Sequence, residues 1–169
     1  MNMRPIAYMQ VKSSKQGTFM GDESGARGRE KWSSVLAVRF RGEQSRDTGQ
    51  KSNAYSATKH DPITFVREWI PSTAQFAEEM WNNRKLDEVV FEFVRYDTSE
   101  QEYVFATLKL TNVLVEHIEL RFGNTGEWSN SPELEPLLEH IGLVPQEIEF
   151  KVKDKSGGDA VAHYDKNAQ

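Results

Sequence analysis

The stretch 60–96 constrains the fold of this chain more than any other, because it places a strand, a helix and a second strand in direct succession. In its first part, Ile63, Phe65, Arg67 and Trp69 alternate with Thr64, Val66 and Glu68. A period of two is typical of a half-buried β-strand. The segment therefore predicts a strand with one largely apolar face.

A short helix is predicted to follow at once, beginning with Pro71 and Ser72. Gln75 lies three residues after the serine, which is the spacing of a capping box. The pair Asn82 and Asn83 is predicted to end the helix, because asparagine tolerates the left-handed conformation found at helix ends. The two predicted faces are an apolar stripe of Phe76, Ala77, Met80 and Trp81 and a polar side of Gln75, Glu78, Glu79 and Asn82.

The second strand of this unit is apolar on both sides. Its predicted faces are Val89, Phe91 and Phe93 on one side and Val90, Val94 and Tyr96 on the other. A strand with two apolar faces is expected where protein covers it on both sides.

Several residues of this unit and of the strands after it form an extended signature. They are His60, Pro62, Ile63, Phe65 and Arg67, then Ser72 and Thr73, then Leu86, Val89, Phe91, Phe93 and Arg95, and finally Tyr103, Phe105, Leu108, Leu110, Asn112 and Val113. This pattern resembles that of the Hcp family, the tube proteins of the type VI secretion system.

The resemblance implies a mainly β fold, an antiparallel β-barrel of two sheets with one short α-helix packed on its side. It implies a single domain over 1–169. It also implies a homo-hexameric ring that stacks into a hollow tube and carries effectors in its lumen, with sheath and spike proteins as further partners. Such a tube is loaded in the cytoplasm of a Gram-negative cell and fired out, so the protein is secreted to the extracellular space or into a target cell. No cofactor is implied.

The rest of the chain predicts further strands without intervening helices, as in a barrel or sandwich. These strands lie around Ile6–Val11, Leu36–Phe40, 86–96, 103–110, Val113–Phe122, Ile148–Val152 and Ala160–Tyr164. Three polar segments, about 12–31, 42–59 and 123–145, are predicted to be loops. Within the last, Leu134–Gly142 has helical spacing, but Pro136 limits it to one distorted turn.

Composition excludes several classes of protein. The net charge of −5 argues against a nucleic-acid binder, which needs clustered cations to neutralise phosphates. The absence of cysteine excludes disulfides and thiolate metal sites. The sequence contains no run of eighteen apolar residues, so no membrane-spanning segment is predicted. The first ten residues also lack the apolar core of a signal peptide. Export by the general secretory route is therefore not expected.

No catalytic or metal site is predicted. The four histidines, His60, His117, His140 and His163, lie far apart in sequence, and no nucleophile elbow occurs. Trp128 stands in a polar segment and is a candidate interface residue. The alternative to a tube subunit is a monomeric β-sandwich module that binds sugars or peptides.

Overall fold

The computed structural model describes residues 6–22, 28–46, 55–121 and 137–168. Antiparallel strands dominate them, which confirms the predicted fold class. The elements are β1 (Ala7–Ser13), β2 (Gly17–Thr18), β3 (Ser33–Val35), β4 (Ala37–Arg39), β5 (Gly42–Arg46), β6 (Tyr55–His60), β7 (Ile63–Glu68), α1 (Pro71–Trp81), β8 (Leu86–Tyr96), β9 (Glu102–Arg121), β10 (Leu138–Lys153), β11 (Asp159–Asp165) and a final 3-10 turn, η1 (Lys166–Ala168).

Nine strands of the described chain form one sheet, and the β5–β6 hairpin forms a second. The main sheet runs β2-β1-β8-β9-β10-β7-β4. It closes on itself through 33–39, because β3 pairs with β1 and β4 pairs with β7. Only Leu36 separates these two strands, and its amide donates to Val66 O at 2.9 Å. The closed sheet encloses the core.

Aromatic rings fill that core. Phe65 lies 5.5 Å from Phe76 and 5.9 Å from Phe91, measured between ring centroids. Phe19 meets Phe76 edge-on at 5.1 Å. All four rings are buried. The strand–helix–strand unit therefore supplies the centre of the core, as its sequence pattern predicts.

Helix α1 begins two residues earlier than a capping box at Ser72 predicts. Its N-cap is Ile70, and Pro71 occupies the first helical position, where a missing amide costs nothing. The reciprocal bond comes from Thr73, whose Oγ1 accepts from the Ile70 amide at 3.1 Å. Ser72 is buried in the first turn instead. The C-terminal end of the helix was predicted correctly, since Asn83 has the left-handed conformation, with φ of 50°.

The buried face of α1 also differs from the predicted stripe. Trp81 is 76% exposed, whereas Glu79 is fully buried. Relative to Phe76, Trp81 points about 140° away around the helix axis and Glu79 only about 60° away. The polar character of Glu79 concealed its place on the buried face.

The predicted loops contain more structure than expected. The range 42–59 supplies both strands of a hairpin, called here the arm, paired from Gly42↔His60 to Arg46↔Tyr55. The range 123–145 supplies the start of β10 from Leu138 onward, where a helical turn was predicted. Strand pairing with β7 and β9 on both edges overrides the helical spacing there. Residues 122–136, with Trp128, lie outside the described part.

Part of the predicted loop 12–31 is packed rather than free. The guanidinium of Arg29 lies 4.1 Å from the centre of the Tyr8 ring and pairs with Glu92 at 2.9 Å. The Tyr8 hydroxyl donates to Glu102 at 3.1 Å. Burial, together with the Glu102 carboxylate, raises the pKa of Tyr8 to about 12. This segment covers the outer face of β1.

The two strands predicted at 103–110 and 113–122 are one strand, β9, of 20 residues. Asn112 has φ of 51° at the junction. Leu110 and Val113 are both buried although three positions apart, so the chain changes phase at Asn112. The pairing of β9 with β8 and with β10 keeps its register through this point, so the strand changes phase there without a bulge and without ending.

Candidate functional site

The titratable side chains are the first candidates for a reactive site. In the ranges that the structure covers, no group of three or more His, Asp or Glu residues could hold a metal ion. In those same ranges, no helix is long and apolar enough to cross a membrane. Most of the buried polar residues in the described ranges fall into two clusters, and both clusters join elements of secondary structure.

The first cluster is a buried ion pair between neighbouring strands. Arg67 on β7 lies opposite Glu139 on β10, and its Nε donates to Glu139 Oε1. The side chains are only 2% and 0% exposed. Arg67 Nη1 also donates to the Ser33 hydroxyl at 2.9 Å, which brings β3 into the cluster.

The guanidinium of Arg67 is also packed against aromatic rings. It lies 5.6 Å from the centre of Phe65 and 5.3 Å from that of Phe76. Burial lowers the pKa of Arg67, and the facing carboxylate of Glu139 opposes that shift. The charge is therefore held in the core by hydrogen bonds to one carboxylate and one hydroxyl, by two aromatic rings and by the field of a second carboxylate, Asp22.

The second cluster joins α1 to the β1–β2 turn. Glu79 Oε1 accepts from Ser13 Oγ at 2.8 Å and from Gln16 Nε2 at 2.6 Å. Glu79 Oε2 accepts from Arg84 Nε at 2.8 Å. Burial raises the pKa of this carboxyl, but the hydrogen bonds from Arg84, Gln16 and Ser13 outweigh burial and leave it below its usual value. The ionised form is thus the one that the fold holds.

Replacing Glu79 by glutamine is expected to lower the free energy of unfolding at pH 7 by about 1–3 kcal/mol, because hydrogen bonds to a charged group are lost. Since the folded pKa is lowered, this contribution is present above the unfolded value of about 4.5 and disappears as the pH falls through the folded pKa. Urea unfolding at pH 7 and pH 3 measures both effects.

Glu78→Gln is the matched control, because Glu78 is the neighbouring carboxylate and its side chain is 51% exposed. Its expected change is within about 0.5 kcal/mol at either pH. Equal losses in the two variants, or a Glu79 effect that persists unchanged at pH 3, would contradict the assigned role.

The remaining signature residues occupy structural positions. Ile63 and Phe91 are fully buried, and Phe93 packs at the edge of the core. Arg95 lies over the Phe105 ring at 4.0 Å. Pro62 lines a cleft beside His60. Sequence patterns gave no sign of Glu139, because it falls in a segment with helical spacing and an apparent loop composition.

The most unusual surface is the β10–β11 hairpin at an edge of the main sheet, called here the ribbon and comprising 147–165. Strand β11 pairs only with β10 in the described chain. Every residue from Asp159 to His163 is exposed, so neither face of β11 is covered. Val161 is 57% exposed, and Phe150 and Val152 are also exposed on the paired strand. An apolar edge strand of this kind is a template for association.

The arm meets the barrel beside the ribbon. β10 pairs with β7 up to Leu143 and with β11 from Glu147, so its edge is unpaired between these points in the described chain. A cleft of about 350 Å³ opens at this fork. Its walls include His60, Pro62, Pro145, Ile148 and Tyr164. The arm, the ribbon and the barrel therefore converge on one region.

Comparison with known proteins agrees with this fold. The family model described as "Type VI secretion system effector, Hcp" matches residues 8–152. Among solved structures, a mutant of the Hcp1 protein from E. coli EAEC 042 is 18% identical, with a TM-score of 0.77 over 96% of this chain and 99% of that one. No curated protein sequence matches the chain.

Two further structures show the same fold. The secreted protein Hcp3 from Pseudomonas aeruginosa is 16% identical, with a TM-score of 0.67 over 94% of this chain and 97% of that one. A type VI secretion system effector from Yersinia pestis is 12% identical, with a TM-score of 0.68 over 94% and 98%. The fold of this chain is thus the fold of the solved Hcp proteins. The chain belongs to the Hcp family of the type VI secretion system.

Proposed function

We propose that this chain is the structural subunit of the type VI inner tube. Copies close side by side into homo-hexameric rings, the rings stack into a tube, and the lumen carries effector proteins. The subunit catalyses no reaction and needs no cofactor. It is held in the cytoplasm inside the sheath, beneath the spike, until firing delivers it outside the cell or into a target cell.

The observation that carries this proposal is the uncovered ribbon. A free edge strand with exposed Phe150, Val152 and Val161 is a liability for a protein that works alone. It is an advantage for one that binds its own copies, because heterologous contacts between different patches close into rings and then stack. The rigid aromatic core suits a building block, since its shape fixes the angle between neighbours.

Size-exclusion chromatography with light scattering and negative-stain imaging tests the proposal. We expect a particle of six times the 19.4 kDa chain mass, with ring-shaped images. A folded protein that stays at the mass of one chain at high concentration would exclude the tube role. That result would favour the alternative, a monomeric module that binds sugars or peptides.

The arm is proposed to contribute to ring stacking. Lys59 is exposed on β6 and faces Glu43 across the arm. Lys59→Glu is expected to shorten or abolish stacks and to leave rings intact. The double swap Glu43→Lys with Lys59→Glu restores opposite charges across the arm and separates a stacking effect from simple loss of the hairpin. Unfolding of the whole domain by Lys59→Glu would contradict this placement of the arm.

A further inference from the structure

The base of the arm is closed by an imidazole held between rings. His60 is the last residue of β6. Its ring stacks on Phe40 at 5.5 Å and meets Tyr164 edge-on at 4.4 Å, measured between centroids. It also lies against the backbone of Gly42, where a Cβ would come within 2.7 Å of Nδ1. One side chain thus joins the arm, the segment after β4 and the C-terminal strand.

Both imidazole nitrogens are in an environment that favours the neutral ring over the protonated one. Nδ1 and Nε2 are buried, and neither has a hydrogen-bond partner among the described residues. A protonated ring would carry a positive charge and two donors into this site, with no acceptor to receive them. The contacts that hold the base of the arm are therefore contacts of an uncharged histidine.

The charged groups around His60 do not compensate for this burial. The cleft at the fork has the carboxylates of Glu43 and Asp61 and the ammonium groups of Lys59 and Lys166 on its walls. Both carboxylates are already paired with Arg41, at 2.6 Å and 3.2 Å. The other polar side chain in contact is Tyr164, which meets the imidazole edge-on. Burial is therefore the dominant influence on the pKa of His60, and it lowers that pKa.

We propose that His60 is a pH-sensitive latch for the arm. With the imidazole neutral, the Phe40–His60–Tyr164 stack holds the base of the arm against the C-terminal strand. A protonated imidazole is unfavourable in this buried position. Protonation therefore releases the ring into the adjoining cleft, where water can hydrate it. The arm then opens from its base while the barrel stays folded. The latch is a property of the single chain and does not require ring formation.

The sign of the effect follows from linkage. A histidine whose folded pKa is lowered stabilises the closed arm fully above the free value of about 6.5, and this contribution declines as the pH falls from there to the folded pKa. The opening constant of the arm is expected to rise about tenfold for each pH unit between those two values. Carboxylates stay largely ionised above about pH 5, so the window from 7.5 to 5.0 isolates histidine.

Two measurements on the full chain test the latch. Deuterium exchange at the imidazole carbon, followed by mass spectrometry, gives the pKa of His60, which we expect below about 6.5. Amide exchange of 42–46 and 58–60, corrected for the intrinsic effect of pH, is expected to increase on acidification. In His60→Phe the ring stack remains without a titrating group, so this increase should vanish. His163→Gln removes an exposed histidine of the ribbon, and the increase in amide exchange on acidification should persist in this variant.

A His60 pKa at or above about 6.5 would overturn the proposal. So would an increase in arm exchange that is equally large in His60→Phe. If that variant fails to fold, the wild-type pKa and exchange still decide. Light scattering at each pH records the oligomeric state, so a protein that stays monomeric would refute the tube role and leave the latch to be judged on its own data.

Discussion

Replacing Glu139 by glutamine is expected to lower the free energy of unfolding by about 3–5 kcal/mol, the usual cost of removing one partner of a buried ion pair. The guanidinium of Arg67 would stay in the core without the carboxylate that pairs with it. Ser33 and the flanking rings cannot replace a carboxylate. Urea unfolding followed by circular dichroism measures this loss directly.

Glu149→Gln is the control for that experiment, because Glu149 lies on the same strand and is exposed. Its expected change is within about 0.5 kcal/mol. The double variant Arg67→Met with Glu139→Leu removes both charges and should recover most of the stability, as apolar replacements of buried pairs often do. A double variant less stable than Glu139→Gln would show that the loss does not come from the unpaired charge.

Truncating Phe76 to alanine is expected to cost about 3–5 kcal/mol, the range for deleting a buried aromatic ring. This ring is the only α1 side chain in contact with both Phe19 and Phe65 among the described aromatic pairs. It also lies beside the Arg67 guanidinium, so its loss opens a cavity next to a buried charge. Thermal or urea unfolding provides the measurement.

Trp81→Ala is the matched control on the same helix, since that side chain is 76% exposed. We expect it to change the free energy of unfolding by less than about 1 kcal/mol. The same variant also tests whether Trp81 contacts another protein, because tryptophans are frequent anchors of protein interfaces. Similar destabilisation by both substitutions would mean that the helix packs on the barrel in another orientation.

The buried pair also bears on how the barrel keeps its register. Arg67 and Glu139 face each other across β7 and β10. A slip of one residue would turn every side chain of β7 to the opposite face and separate the two charges. We expect alternative registers to be strongly disfavoured for this reason. A subunit that repeats in a ring depends on such uniformity, because an angular error in one copy is repeated at every contact.

The sequence by itself determined the class of fold and its centre. Alternation and apolar content in 60–96 predict the strand–helix–strand unit, and Ile63, Phe65 and Phe91 are buried as expected. These patterns are local, since the period of a strand or helix is fixed by the backbone and shows in neighbouring residues. The same stretch carries the residues that resemble the Hcp family, and the match over 8–152 confirms that resemblance.

Only the tertiary structure decided which polar groups are buried and which surfaces are left uncovered. Glu139 pairs with Arg67 across 72 positions in sequence, and Glu79 accepts a hydrogen bond from Ser13 across 66 positions. Such partners meet only when strands that are distant in the chain lie side by side. The exposure of the ribbon and the stack around His60 have the same origin, because burial depends on what the rest of the chain places over a side chain.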